Sequence, residues 1–193
     1  MTIRWIDQVQ ALPSLSPQLW SLMIAAGHSD VDPGVVAHGY REAEIVLDFR
    51  QLVSAELAEL GVKHLLDGEP HENLPLHQAV VIARGCDIAV EFHCNGAASA
   101  QATGVETLSR AHNKPLAAEL CRVTADVLGI ANRGARPEGS GQHHRLAFVS
   151  DGGGIIHELF FLTNKRDLAA WIGGRRSLAK EVARVLADAV RTP

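Results

Sequence analysis

Three short apolar runs, each meeting a side chain able to hold a metal ion, constrain this 193-residue chain more than any other feature. They lie in SLMIAAGHSDVDPG (Ser21–Gly34), DIAVEFHCN (Asp87–Asn95) and GIIHELFFLTN (Gly154–Asn164). Short apolar runs between turn signals read as buried strands, and strands buried on both faces belong to sheets covered by helices. His28 and His93 fall at the mouths of the first two strands, and Glu158 lies inside the third. Between the first two, GYREAEIVLDF adds another carboxylate, Glu42. Two imidazoles, a carboxylate ligand and a separate acid are what a hydrolytic zinc site requires.

Helix-like segments separate the strands. Arg41–Leu60 carries Ile45, Phe49, Leu52, Val53, Leu57 and Leu60 at the spacing of one helical face and stops at Gly61. Pro115–Leu128 is amphipathic through Leu116, Leu120, Val123, Val127 and Leu128, with Asn113 as cap and Gly129 as stop. Further helices are expected over Leu76–Ala83, Asp167–Ile172 and Ser177–Val190. Strands are expected over Ser21–Ala26, Val62–Leu66, Ile88–His93, Gly104–Ser109, Leu146–Ser150 and Ile155–Phe161. The alternation predicts an α/β fold, a single three-layer domain whose mostly parallel twisted sheet of about six strands carries helices on both faces. Residues 1–20 read as a short lead, with a helical turn around Ile6–Val9 and a loop at Pro13–Pro17; residues 21–193 read as the domain that holds the site. In such sheets sites gather at the carboxyl ends of strands, where both histidines fall.

Composition excludes several alternatives. Net charge is −4 with acidic and basic residues interspersed, so there is no nucleic-acid footprint. No apolar run approaches the roughly 20 residues needed to span a bilayer, so no stable membrane insertion is expected. Cys86, Cys94 and Cys121 form no CxxC pair, which argues against a disulfide framework and against a thiolate zinc site. The opening MTIRWIDQVQALPSLS lacks a charged-then-apolar secretory profile, so synthesis in the cytoplasm without a signal peptide is the expectation.

Each candidate has a plainer explanation to beat. Glu42 in a first helical turn also suits the helix dipole, and Glu44 competes with it. The two lie about 200° apart around a helix, so only one can face a metal. Glu158 has the costlier alternative, because an unpaired carboxylate in a central strand is expensive. His157 points to the opposite face from Glu158, and alternation likewise sets Ala89, Glu91 and His93 apart from Ile88, Val90 and Phe92. Cys94 points away from His93 for the same reason, which argues against a thiol–imidazole pair. Gly152–Gly154 reads as a turn, His143–His144 as loop residues, and Arg175, Arg176, Lys180 and Arg184 as a solvated helix face.

GHSDVDPG followed by GYREAEIVL resembles the opening of the zinc-dependent N-acetylmuramoyl-L-alanine amidases, a family shared by bacterial cell-wall amidases and phage endolysins. Gly27–Gly34, Glu42 with Ile45 and Leu47, Ala89–Asn95, and His157–Asn164 correspond in order to four family motifs. GVET (104–107) and NRGARP (132–137) also look like family stretches, and the resemblance runs from about Met23 to Val190. Departures fall at Ser29–Asp30, Val46, Ala79, Arg84 and Phe160. The resemblance implies zinc ligands His28, Glu42 and His93, a catalytic Glu158, and peptidoglycan as substrate. Zinc-activated water would then cleave the amide bond between N-acetylmuramic acid and L-alanine. With no secretory profile and no separate wall-binding module in view, a compact phage-type endolysin that reaches the cell wall through a holin-type pore is the expectation. A zinc carboxypeptidase or other peptidase on a related sheet is the alternative enzyme, and a non-catalytic wall-binding module the alternative from another class.

Overall fold

The computed structural model describes residues 21–29, 31–140 and 144–191. The turn expected around Ile6–Val9 and the loop at Pro13–Pro17 lie outside the described residues, as does His143. In chain order the elements are β1 (Leu22–Ala26), β2 (Val36–Ala37), β3 (Tyr40–Arg41), α1 (Glu42–Glu59), β4 (Leu65–Leu66), α2 (Leu76–Arg84), β5 (Ile88–Asn95), β6 (Val105–Ser109), α3 (Lys114–Leu128), β7 (Asn132–Pro137), α4 (Ala147–Ser150), β8 (Ile155–Phe161) and α5 (Lys165–Arg191). The main sheet has six strands in the order β4-β1-β5-β8-β6-β7. Its strand pairs are parallel except β6 against β8. This is the three-layer α/β domain that the pattern predicts.

Strand alternation sorts side chains into two cores of unequal depth. Leu22, Ile24 and Ala26 of β1 and Ile88, Val90, Phe92 and Cys94 of β5 join the larger core beneath α1, α3 and α5. Met23, Ala25 and Ala89 face the other way, into a smaller core under α2 and α4. An aromatic chain stitches the larger core together. Phe49 meets Phe92 edge-on at 4.9 Å and Trp171 at 5.0 Å, and Trp171 stacks on Phe160 at 5.1 Å. Such pairs add roughly 0.5–1.5 kcal/mol each beyond the area they bury. The opposite layer consists of a 9-residue and a 4-residue helix, too little to cover the sheet. Its carboxyl end is therefore left open on that face.

Several expectations need correction. Leu146–Ser150 is not a strand. Glu138 accepts hydrogen bonds from Leu146 N and from Ser150 Oγ, both at 2.5 Å, which ties the segment into the short helix α4. Phe148 and Val149 still reach the smaller core. Asp167–Ile172 and Ser177–Val190 are parts of one 27-residue helix. Gly173 and Gly174 lie between the two expected ranges; a Cβ at Gly174 would stand 2.8 Å from Leu128 Cδ2, so this glycine serves close approach of α5 to α3. The polar NRGARP segment forms edge strand β7 beside β6, and the strand expected over Val62–Leu66 shortens to two residues. Asn113 occupies the N-cap position without capping; its Nδ2 donates instead to Gly153 O at 2.8 Å. Gly129 does stop α3, in the left-handed conformation at φ 64°.

His157, on the larger-core face of β8, is fully buried beside Thr124 Oγ1 at 3.1 Å. Burial lowers its pKa to about 3. The unfolded chain protonates this histidine near 6.5 and the folded chain does not, so folding loses stability as pH falls below about 6.5, by about 1.4 kcal/mol per pH unit from this group. Urea unfolding of wild type and His157→Gln between pH 7 and 5 should give a shallower pH dependence for the variant by about that slope. Parallel profiles would refute this account.

Candidate functional site

The first ligand candidate owes its position to a strained turn. β1 ends at Ala26, and His28 follows with φ 65°, a conformation uncommon for a residue with a side chain. Asn73 clamps this turn, its Nδ2 donating to Gly27 O at 2.8 Å and to His28 O at 2.7 Å. Behind it, Ala26 N donates to Asp67 Oδ2 at 3.1 Å, and Asp67 forms a fully buried ion pair with Arg50 of α1. Arg50 Nη2 also donates to Glu69 O and Glu72 O, each at 2.8 Å, which anchors the loop that carries Asn73.

Glu42 is the first residue of α1 and is only 2% exposed. Its Oε1 lies 3.0 Å from His28 Nε2 and 3.1 Å from His93 Nδ1, and accepts from Cys94 N at 2.8 Å. Its Oε2 accepts from Val35 N at 2.9 Å. The competing Glu44 is exposed and pairs with Arg41, as expected from the angular argument. The imidazoles of His28 and His93 stand edge to face, 5.0 Å apart. Each also has an outer carboxylate: Asp32 Oδ2 lies 3.0 Å from His28 Nδ1, and Glu91 Oε2 lies 2.9 Å from His93 Nε2.

Two glycines make the convergence sterically feasible. A Cβ at Gly27 would lie 2.2–2.7 Å from three ring atoms of His93. One at Gly34, whose φ is +63°, would lie 2.6 Å from both Glu42 Oε2 and His28 Nε2. The GHSDVDPG segment is thus a seat for both rings. Ligand atoms of His28, Glu42 and His93 all fall within 4.8 Å of one another, with a borderline-soft nitrogen and oxygen donor set that suits zinc. Both rings have a carboxylate at each nitrogen, an arrangement that a cation satisfies by replacing the inner protons. Those residues fit the metal.

Electrostatics follow from this crowding. Burial opposes ionisation of Glu42, but hydrogen bonds from His28 and His93 outweigh it and hold its carboxyl well below the usual range. Burial pulls the His93 pKa down, and Glu42 and Glu91 more than reverse that. Glu158 lies beside His93 in the register of β5 and β8, and beside Glu106 on β6. Its Oε2 is shut off from solvent and has no hydrogen-bond partner. Burial raises its pKa to about 7, with His93 pulling the other way and Glu42 and Glu106 adding to the rise.

All these groups border a cleft of about 1090 Å³ on the thinly covered face of the sheet. Its far wall holds Arg133 and Arg136 of β7, with Glu106 accepting from Arg133 Nε at 2.6 Å and from Asn95 Nδ2 at 2.9 Å. The four residues singled out from sequence therefore meet. Asp32, Asn73, Glu91, Glu106, Arg133 and Arg136 were not anticipated as part of the site. Strand alternation does put Glu91 on the His93 side, the one signal that could have found it. Cys94 is buried in the opposite core, away from His93. His144 is exposed and Arg175 and Arg184 pair with Asp48 and Glu181, which leaves these outside the site.

The family model described as N-acetylmuramoyl-L-alanine amidase matches residues 22–191. The chain belongs to this family. A solved Neisseria meningitidis protein assigned as an N-acetylmuramoyl-L-alanine amidase is 36% identical, with a TM-score of 0.81 over 89% of this chain and 96% of that one. The catalytic domain of CwlV, the amidase from Bacillus (Paenibacillus) polymyxa var. colistinus, shares the fold at 21% identity, with a TM-score of 0.76 over 90% of this chain and 99% of that one. So does the catalytic domain of the CD27L endolysin targeting Clostridia difficile, at 20% identity and a TM-score of 0.69 over 88% and 97%. No curated protein sequence matches the chain.

If Glu42 and not Glu44 completes the triad, Glu42→Gln should strip zinc from the protein during gel filtration, whereas Glu44→Gln should keep wild-type stoichiometry by atomic absorption. Equal zinc retention by the two variants would contradict the geometry.

Proposed function

We propose that this chain is a zinc-dependent N-acetylmuramoyl-L-alanine amidase, a hydrolase that cuts peptidoglycan between the lactyl group of N-acetylmuramic acid and L-alanine of the stem peptide. The observation that carries this reading is the approach of His28 Nε2, His93 Nδ1 and Glu42 Oε1 beside an open cleft, with unpartnered Glu158 Oε2 on the neighbouring strand. Family membership supports the bond and the substrate class. Zinc held by His28, Glu42 and His93 supplies Lewis-acid chemistry, polarising an amide carbonyl and activating water.

The chain's own residues account for the proton traffic. Glu158 takes the proton of the attacking water on the cleft-facing side of its carboxylate and returns it to the leaving amine nitrogen. A carboxyl whose burial brings its pKa to about 7 can do both near neutral pH. Asp32 and Glu91 brace the two imidazoles from outside. Arg133 and Arg136 offer cationic side chains to a stem peptide that carries carboxylates. An endolysin-type setting, with release from the cytoplasm through a partner's holin-type pore, is the biological role we attach to this activity on the sequence reading alone.

Digestion of purified peptidoglycan followed by mass spectrometry should release intact stem peptides with a free L-alanine amine. Products cut within the peptide would favour the peptidase alternative instead. Glu158→Gln should lower kcat by ~10²–10⁴-fold while zinc content stays at the wild-type level. Because Glu158 must be ionised to accept a proton, kcat/KM should fall as pH drops below about 7, with a bound cation moving that limb lower. A profile that is flat across this range would exclude Glu158 as the base.

A further inference from the structure

His93 is gripped at both ring nitrogens and along one edge. Nδ1 faces Glu42 Oε1 at 3.1 Å, and Nε2 faces Glu91 Oε2 at 2.9 Å. Gly27 leaves the space that the ring occupies, since any side chain there would overlap it. Glu91 sits two residues earlier on β5, opposite Ala25 of β1 and Ile156 of β8, and is 3% exposed. Its single ion-pair partner among the described residues is His93. A carboxylate buried this deeply is costly unless a proton-bearing group faces it, so Nε2 must keep its hydrogen. A ring turned over about its Cβ–Cγ bond would present carbon to both carboxylates and lose both contacts.

We infer that Glu91 is the positioning residue of the metal site: by accepting the Nε2–H of His93 it fixes the tautomer whose Nδ1 lone pair faces Glu42 and the cation. The inference rests on the zinc reading above and goes beyond it, assigning a role to a residue outside the ligand set. It makes the two histidines bind through opposite nitrogens. His28 has Nδ1 committed to Asp32 and offers Nε2; His93 has Nε2 committed to Glu91 and offers Nδ1. The difference follows from reach. Glu42 Oε1 also accepts from the backbone N of Cys94, the residue next to His93, so it lies near the β5 main chain, where only the inner ring nitrogen can face it. His28 approaches from a loop on the far side and uses its outer nitrogen. An outer carboxylate also raises the basicity of the imidazole it holds, which strengthens the metal bond.

The full-length protein is tested as demetallated and zinc-reloaded material. Zinc affinity is measured by competition with a chromophoric chelator for wild type, Glu91→Gln, Glu91→Ala and His28→Ala. Ring ¹⁵N shifts of histidine-labelled, zinc-loaded wild type report which nitrogen binds. The expected result is a metal-bound Nδ1 and protonated Nε2 for His93, the reverse for His28, and zinc affinity ~10–100-fold weaker in the Glu91 variants. Unchanged affinity in folded Glu91 variants, or a zinc-bound Nε2 on His93, overturns the inference. If His28→Ala also keeps full affinity, the zinc reading itself fails. If His28→Ala loses zinc while the Glu91 variants hold it, only the role of Glu91 falls. Should the Glu91 variants not fold, the wild-type tautomer decides alone.

Discussion

One carboxylate holds this site together. Glu42 draws on four groups from three separate stretches of chain: Val35 N, His28 Nε2, His93 Nδ1 and Cys94 N. At 2% exposure it is almost shut off from solvent, so its charge is stabilised mainly by these donors. The start of α1, the exit of β1 and the exit of β5 must therefore arrive together or not at all. Two such imidazoles around one buried acid also form a chelating set, which ties local folding to cation binding.

The surrounding scaffold serves that convergence. The buried Arg50–Asp67 pair reaches the turn at Gly27–His28 through Asp67 and through the loop bearing Asn73, so the α1 helix braces the site at both its first turn and its middle. Breaking one side of a buried ion pair of this kind typically costs about 3–5 kcal/mol. Unequal layering then decides access. Three long helices fill one face of the sheet, while α2 and α4 cover only part of the other, and the cleft occupies what they leave bare. Glu158 and Glu106 are paired across adjacent strands, and both face that cleft. A buried acid that lacks a partner there is a strong marker of chemistry.

Much of this was legible in the chain. Periodicity located α1, α3 and the central strands, since each has one strongly apolar face and a clear stop such as Gly61 or Gly129. It also separated Glu42 from Glu44 by angle, and Glu158 from His157 by alternation. Where periodicity misled, a distant contact had overruled it. Leu146–Ser150 coils because Glu138 binds both its ends, and α5 runs on through Gly173–Gly174, where Gly174 lets Leu128 of α3 approach closely. β7 was invisible as a strand because an edge strand of polar residues carries no apolar signature.

The sequence by itself determined the layer architecture, the strand ends at which polar side chains emerge, and the residue types that chemistry would need. These are local properties, set by apolar spacing and by glycines that admit particular backbone conformations. Only the tertiary structure decided which ring nitrogens face inward, that Asp32 and Glu91 stand behind the histidines, and that Arg133 and Arg136 share their cleft. Those depend on contacts between residues far apart in the chain, governed by sheet order and by distances of about 3 Å that no one-dimensional pattern encodes.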